Sequence, residues 1–113
     1  MSEHNVKYLH FSSSIRKINK RYKLTEHKQV MVLEEVLTAH AESVTLSVLD
    51  LILLKEIASQ ATLHSITRRL IDLKLIKTEV CKVDGRRKYI LPTKLGMSWL
   101  NDCSELLAST TKK

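Results

Sequence analysis

Apolar residues recur every three or four positions along most of this chain, then alternate strictly for one short stretch, a pattern that predicts helices interrupted by a small sheet. The first stripe, Tyr8, Phe11, Ile15, Ile18 and Tyr22, predicts a helix over about residues 4–23. Thr25 stands where it would cap a second helix running to about Ala41, with Val30, Leu33, Val36, Leu37 and His40 on its apolar face. On that face His40 reads as a packed or edge histidine rather than a ligand. The β-branched piece Val44-Thr45-Leu46 leads into Ser47-Val48-Leu49-Asp50, where a Ser with an acid three residues later forms a capping-box pattern. The run that follows is apolar on nearly all sides and predicts a buried helix, closed by a turn at residues 57–59.

Ser59 is the next N-cap, for a helix over about 60–73 that sets Leu63, Ile66, Leu70 and Leu73 on its inner side. Ala61, His64, Ser65, Arg68 and Asp72 fall opposite, flanked by Gln60 and Arg69. Two helices joined by a short turn, the second turning hydrogen-bonding residues outward, make a helix-turn-helix. From Lys77 the period becomes two, Asp84-Gly85 supplies a hairpin turn, and residues 87–91 return as a second strand, so 77–91 reads as a wing. Pro92, lacking an N–H, is expected to end the pairing. Thr93 caps a last helix over about 94–109, striped by Leu95, Trp99, Leu100, Cys103, Leu106 and Leu107. The fold class expected is mostly α with a small antiparallel sheet (α+β), a winged helix-turn-helix, with all 113 residues forming one domain.

Composition supports this reading: two Gly and one Pro are too few for a turn-rich sandwich or barrel. Charge locates the working surface. Residues 60–96 hold nine of the 19 Lys and Arg with three acids, a net +6 out of +7 for the whole chain. Residues 1–25 carry +5 and residues 26–59 carry −4, so the molecule is polarised as a polyanion-binding protein would be. Cys81 and Cys103 offer neither a disulfide framework nor metal-finger spacing. His4, His10, His27, His40 and His64 form no pair four residues apart. No metal and no cofactor is expected, and a reducing cytoplasm is the simplest location. The N-terminus lacks the apolar core of a signal peptide, and VLDLILL is far short of a membrane span. No nucleophile-and-base motif and no glycine-rich phosphate loop points to an enzyme.

The expected chemistry is therefore recognition of double-stranded DNA. Gln60, His64, Ser65 and Arg68 would meet base edges in the major groove, an Arg fork matching guanine and a Gln amide matching adenine, with Arg69 beside them. Arg86, Arg87 and Lys88 would hold phosphates, Arg86 being placed to enter the minor groove. The plainer reading of these residues is a solvated helix face and a strand edge kept soluble by charge. A rival function is a winged-helix module that binds protein or RNA instead of duplex DNA. Apolar stripes on both terminal helices exceed what a short antiparallel pair would bury and predict a homodimer.

The stretch DGRRKYILPTKLG, with Asp84, Arg86, Thr93 and Gly96 at their spacing, resembles the wing-to-helix segment of MarR-type (multiple-antibiotic-resistance regulator) winged-helix transcription factors. The pattern STVxxLxxLxxxGLI of those proteins is matched more loosely by Ser59, Thr62, Leu63, Ile66, Leu70, Leu75 and Ile76. The resemblance spans residues 30–100 and implies a DNA-binding regulator of transcription. There are three departures. Lys74 stands where that family usually has Gly, and Pro92 replaces the usual Leu. The chain also ends about one helix sooner, so the two-helix dimer arm and the effector pocket beside it are not expected to be complete. A small-molecule effector is compatible with the sequence but not supported by it.

Overall fold

The apolar stripes converge on one core. In the computed structural model, which describes residues 2–80, 82–83, 85 and 87–111, helices α2 (His27–Ala41) and α3 (Val48–Ile52) each pack against α4 (Gln60–Asp72), and all three against a small sheet. Leu33, Leu51, Leu63, Leu70, Leu75 and Ile76 are fully buried at their meeting point. Strands β1 (Leu46–Ser47), β2 (Ile76–Val80) and β3 (Lys88–Pro92) form an antiparallel sheet in the order β1-β3-β2. Helix α1 (Glu3–Arg21) lies along α5 (Lys94–Thr111), and the α1–α5 pair extends the molecule to 55 Å in its longest direction. This is a winged helix-turn-helix: five helices and a three-stranded sheet.

The sequence placed Thr25 as the cap of α2, but Glu26 takes that position, and Gln29 Oε1 accepts from the N–H groups of both Thr25 (3.0 Å) and Glu26 (3.3 Å). A buried Gln reaching back serves two free donors at once. His40 is exposed rather than packed; Val32 takes its share of the core. The Ser47–Asp50 capping box forms as expected, with bonds of 3.0 and 3.1 Å. The helix it opens is only five residues long, and Leu49 and Leu53 are exposed, so it buries one side and not all. The chain leaves α3 early because Leu53 and Leu54 donate to carbonyls three residues back, tightening the last turn, and the turn therefore spans 53–59.

Three helices end in the same way. Lys23, Ser43 and Lys74 take φ values of 63°, 57° and 63°, and the following N–H groups of Leu24, Val44 and Leu75 donate to carbonyls five residues back. These are Schellman closures with a non-glycine residue in the left-handed position. The apolar residue after the turn is buried at Leu24 and Leu75, which offsets the strain there. The Lys74 exit is tied down further. Thr93 N–H donates to Leu75 O (3.1 Å), and Thr93 Oγ1 donates to Lys74 O (2.6 Å) while accepting from Gly96 N (3.1 Å). A Cβ at Gly96 would run into the Leu75 carbonyl oxygen, so α5 can start this close only with glycine there. Pro92 does not stop the pairing before itself: it is the last residue of β3, opposite Ile76, and Thr93 adds one more bond beyond it.

Candidate nucleic-acid interface

Ser59 Oγ accepts from Thr62 N–H (3.3 Å) and starts α4 where the sequence predicted. Leu63, Ile66 and Leu70 anchor the helix inward, leaving Gln60, His64, Ser65, Arg68 and Arg69 exposed on the outside. Two concavities flank it. One, of about 770 Å³, lies between α4 and the sheet and is bordered by His64, Arg68 and Asp72 on the helix and by Thr78 and Lys88 on the strands. The other, of about 480 Å³, lies between α4 and the start of α2, bordered by Thr62 and Arg69 with Glu26 and Gln29. Ala61 and Ser65 border both, so these small residues form the crest. The structure thus separates two arginines that are adjacent in sequence: Arg68 faces the wing side, Arg69 the α2 side.

The wing is split by its pleat. Thr78 pairs with Ile90, and Val80 with Lys88, so Thr78, Val80, Lys88 and the buried Ile90 share the face turned toward α4. Arg87 is also exposed and lines a further concavity of about 590 Å³ with Thr45, Leu49, Asp50 and Tyr89, beside β1 and α3. Arg86, proposed from sequence for the minor groove, lies outside the described residues, as do Asp84 and Cys81. Sequence reasoning missed Thr67 and Thr78. Thr67 lines the α4–sheet cleft, yet it is 5% exposed and its Oγ1 has no hydrogen-bond partner among the described residues. A polar residue one position outside the inner stripe was the available signal.

The other end of the molecule has different chemistry. Trp99 Nε1 donates to Asn19 Oδ1 (2.8 Å), and Tyr22 O–H donates to Asp102 (2.6 Å), with Arg21 3.7 Å from the same carboxylate. The bond to Asp102 holds the Tyr22 hydroxyl above its ordinary pKa, against a smaller opposing effect from Ser98. Beyond this seam Val6, Tyr8, Leu9 and Leu107 are exposed, and Tyr8, Leu9, Phe11 and Leu107 border a dish of about 790 Å³. A groove of about 580 Å³ runs between α1, α2 and α5, lined by Phe11, Ile15, Trp99, Leu100 and Cys103 with Glu34 at its edge. Burial, with the nearby Asp102 and Glu34 carboxylates, pushes the Cys103 thiol up to about 11. Among the described residues no three His, Cys, Asp or Glu side chains cluster as a metal site would need, and no helix is long and apolar enough to cross a membrane.

No protein-family model and no curated protein matches the chain. Solved structures do. S. aureus MepR in complex with DNA superposes with a TM-score of 0.77 at 18% identity, covering 95% of this chain and 76% of MepR. A MepR mutant bound to an oligodeoxyribonucleotide gives 0.72 at 18% identity, covering 94% and 74%. The heme sensor protein PefR from Streptococcus agalactiae, in complex with heme, gives 0.60 at 17% identity, covering 95% and 72%. The chain therefore has the winged-helix fold of MepR and PefR, which are MarR-family regulators, over nearly its whole length.

Proposed function

We propose that the protein is a sequence-specific double-stranded DNA-binding regulator of transcription that works as a homodimer. The observation that carries this reading is the α4 crest: small residues on a rigid, fully anchored helix, with an Arg on each flank and a basic hairpin beside it, on a fold that MepR uses in a complex with DNA. An α-helix fits the major groove, and the small crest residues let it approach the groove floor closely. Gln60, His64, Ser65 and Arg68 then read base edges. Arg69 on the α2 side and Arg87 and Lys88 on the wing hold phosphates, with Arg86 assigned to the adjacent minor groove. The work is binding rather than bond making, and a cytoplasmic location fits a DNA partner.

The exposed apolar ends of α1 and α5 are the dimerisation elements, since a two-fold axis there would cover Tyr8, Leu9 and Leu107 on both copies at once. The α1–α2–α5 groove favours an added regulatory role. It is apolar and of drug size, and MepR and PefR have been solved with ethidium bromide and heme, respectively. Selection of bound sequences from a random duplex pool, run beside single-stranded RNA, tests the proposal. Enrichment of a palindrome with half-site centres about 10 bp apart is expected, with sedimentation as a dimer. A pool that returns no preferred duplex, or a preference for RNA, would refute it.

A further inference from the structure

A helix in the major groove and a hairpin in the neighbouring minor groove have one sugar–phosphate strand between them, and that strand must cross the space between the two elements. In this protein the space is the cleft between α4 and the sheet. Three features of its floor are unexplained by packing. Lys88 shares the core-side face of β3 with the buried Ile90 and borders this cleft, as it also borders the concavity that Arg87 lines beside β1 and α3. Thr78, diagonal to Lys88 on β2, is exposed at the same cleft. Thr67 contributes a hydroxyl that is shut away from solvent with no partner among the described residues.

A threonine inside a helix normally bonds a carbonyl three or four residues back, and it divides between two χ1 rotamers. Thr67 makes no such bond among the described residues, so its hydroxyl is a buried group at this cleft whose hydrogen-bonding capacity is unspent. Rotation about χ1 exchanges the positions of methyl and hydroxyl at little cost. Around the cleft, His64, Arg68 and Lys88 face a single acid, Asp72. Hydroxyl donors beside a cation and a predominantly basic rim are the chemistry that takes a phosphate oxygen.

We infer that this cleft is a phosphate seat, in which Lys88, Thr78 and the rotated hydroxyl of Thr67 hold one phosphodiester of the strand separating the two grooves. The inference rests on the DNA-binding reading above and adds to it Thr67 and Thr78, two residues that touch no base. The seat fixes how far α4 sinks into the groove, so loss of an uncharged hydroxyl on the far side of the helix from the crest weakens binding.

The test compares Thr67→Val, Thr67→Ser, Thr78→Val and Lys88→Gln on a duplex preferred by the wild type and on mixed-sequence duplex, with thermal midpoints for each. Thr67→Val is expected to keep or raise the midpoint, because it removes an unbonded buried hydroxyl, yet to weaken duplex binding about tenfold. Thr67→Ser retains wild-type affinity, and Thr78→Val weakens both duplexes alike. Lys88→Gln lowers the magnitude of the slope of log K against log salt by about one per contact. Wild-type affinity in both valine variants would overturn the seat while leaving DNA binding in place. A wild type that binds no duplex would overturn the DNA reading and the seat together. Inorganic phosphate that raises the midpoint of the wild type but not of Thr67→Val, with duplex binding equal in both, would assign the cleft to a free anion and overturn its role on DNA.

Discussion

The α4–wing side and the α1–α5 end both expose side chains that a self-contained globule would cover or disperse, but they do so in opposite ways. On the first, every outward residue of α4 can hydrogen-bond or is small, and the apolar residues behind it are fully buried. On the second, Trp99–Asn19 and Tyr22–Asp102 bonds tie the seam, and Val6, Tyr8, Leu9 and Leu107 stand exposed among the polar residues of the two helices. One surface offers unused donors on a rigid mount; the other offers unused apolar area. The first suits a polar ligand read with direction and distance, and the second suits a second apolar surface, which needs neither.

The sharpest way to break that contrast is truncation on each side. Leu63→Ala, behind the reading face, should cost about 2–5 kcal/mol of stability because the buried side chain leaves a cavity. Leu107→Ala, on the outer end of α5, should cost less than about 0.5 kcal/mol in the monomer yet shift sedimentation toward it. Equal thermal losses in the two variants would show that the end of α5 belongs to the core. On the DNA side, Arg68→Ala should cost about 1–3 kcal/mol on the preferred duplex and relax base choice, with little effect on mixed sequence. Arg87→Ala should weaken both duplexes alike and reduce the salt slope by about one. Uniform loss in both variants would mean that α4 does not read bases.

Smaller effects probe the seam and the helix exits. Tyr22→Phe should cost about 1 kcal/mol by removing the bond to Asp102. The raised pKa of Tyr22 means that its stabilisation is fully present below the ordinary value of 10.0 and is lost as pH rises through the folded value. Alkaline melts above pH 10 should therefore fall less steeply for the Phe variant. Lys74→Gly should raise stability by about 1 kcal/mol, since φ of 63° is open to glycine and strained for lysine; a drop would show that the lysine side chain matters more than its backbone. Cys103, with its thiol near 11, should alkylate at pH 8 about a hundredfold more slowly than an exposed thiol in a Cys81→Ser background. Rapid labelling of Cys103 would mean that the groove around it opens.

Most of α4 and the hairpin was legible from local signals. A Ser cap, a clean inner stripe and alternation along the strands each act over a few residues, and tertiary packing left them unchanged. Features decided by distant partners were not. Leu46 and Ser47 become a strand only because Ile90 and Tyr89 arrive beside them from more than 40 positions away. The end of α3 at Ile52 is invisible in a run of apolar letters, since Leu53 differs from Leu51 only in what lies opposite. That Lys88 borders the α4 cleft could not be read until the register set it on the same face of β3 as Ile90, with Arg87 just ahead of the strand. Thr67 could not be found at all, because its significance is a hydrogen bond it does not make.

The seam between α1 and α5 joins residues 80 positions apart. Contacts of that separation are slow to form, because the whole intervening chain must be ordered before the loop they close becomes short in space. Helices α2 to α4 and the hairpin can assemble from nearer neighbours, so the seam is expected to form last and to open first. Amide exchange in the first turns of α1 should then run well ahead of that in α4. If the outer ends of α1 and α5 form the dimer contact, completing the fold and finding the partner become one event, and the rate of the final folding phase will rise with protein concentration.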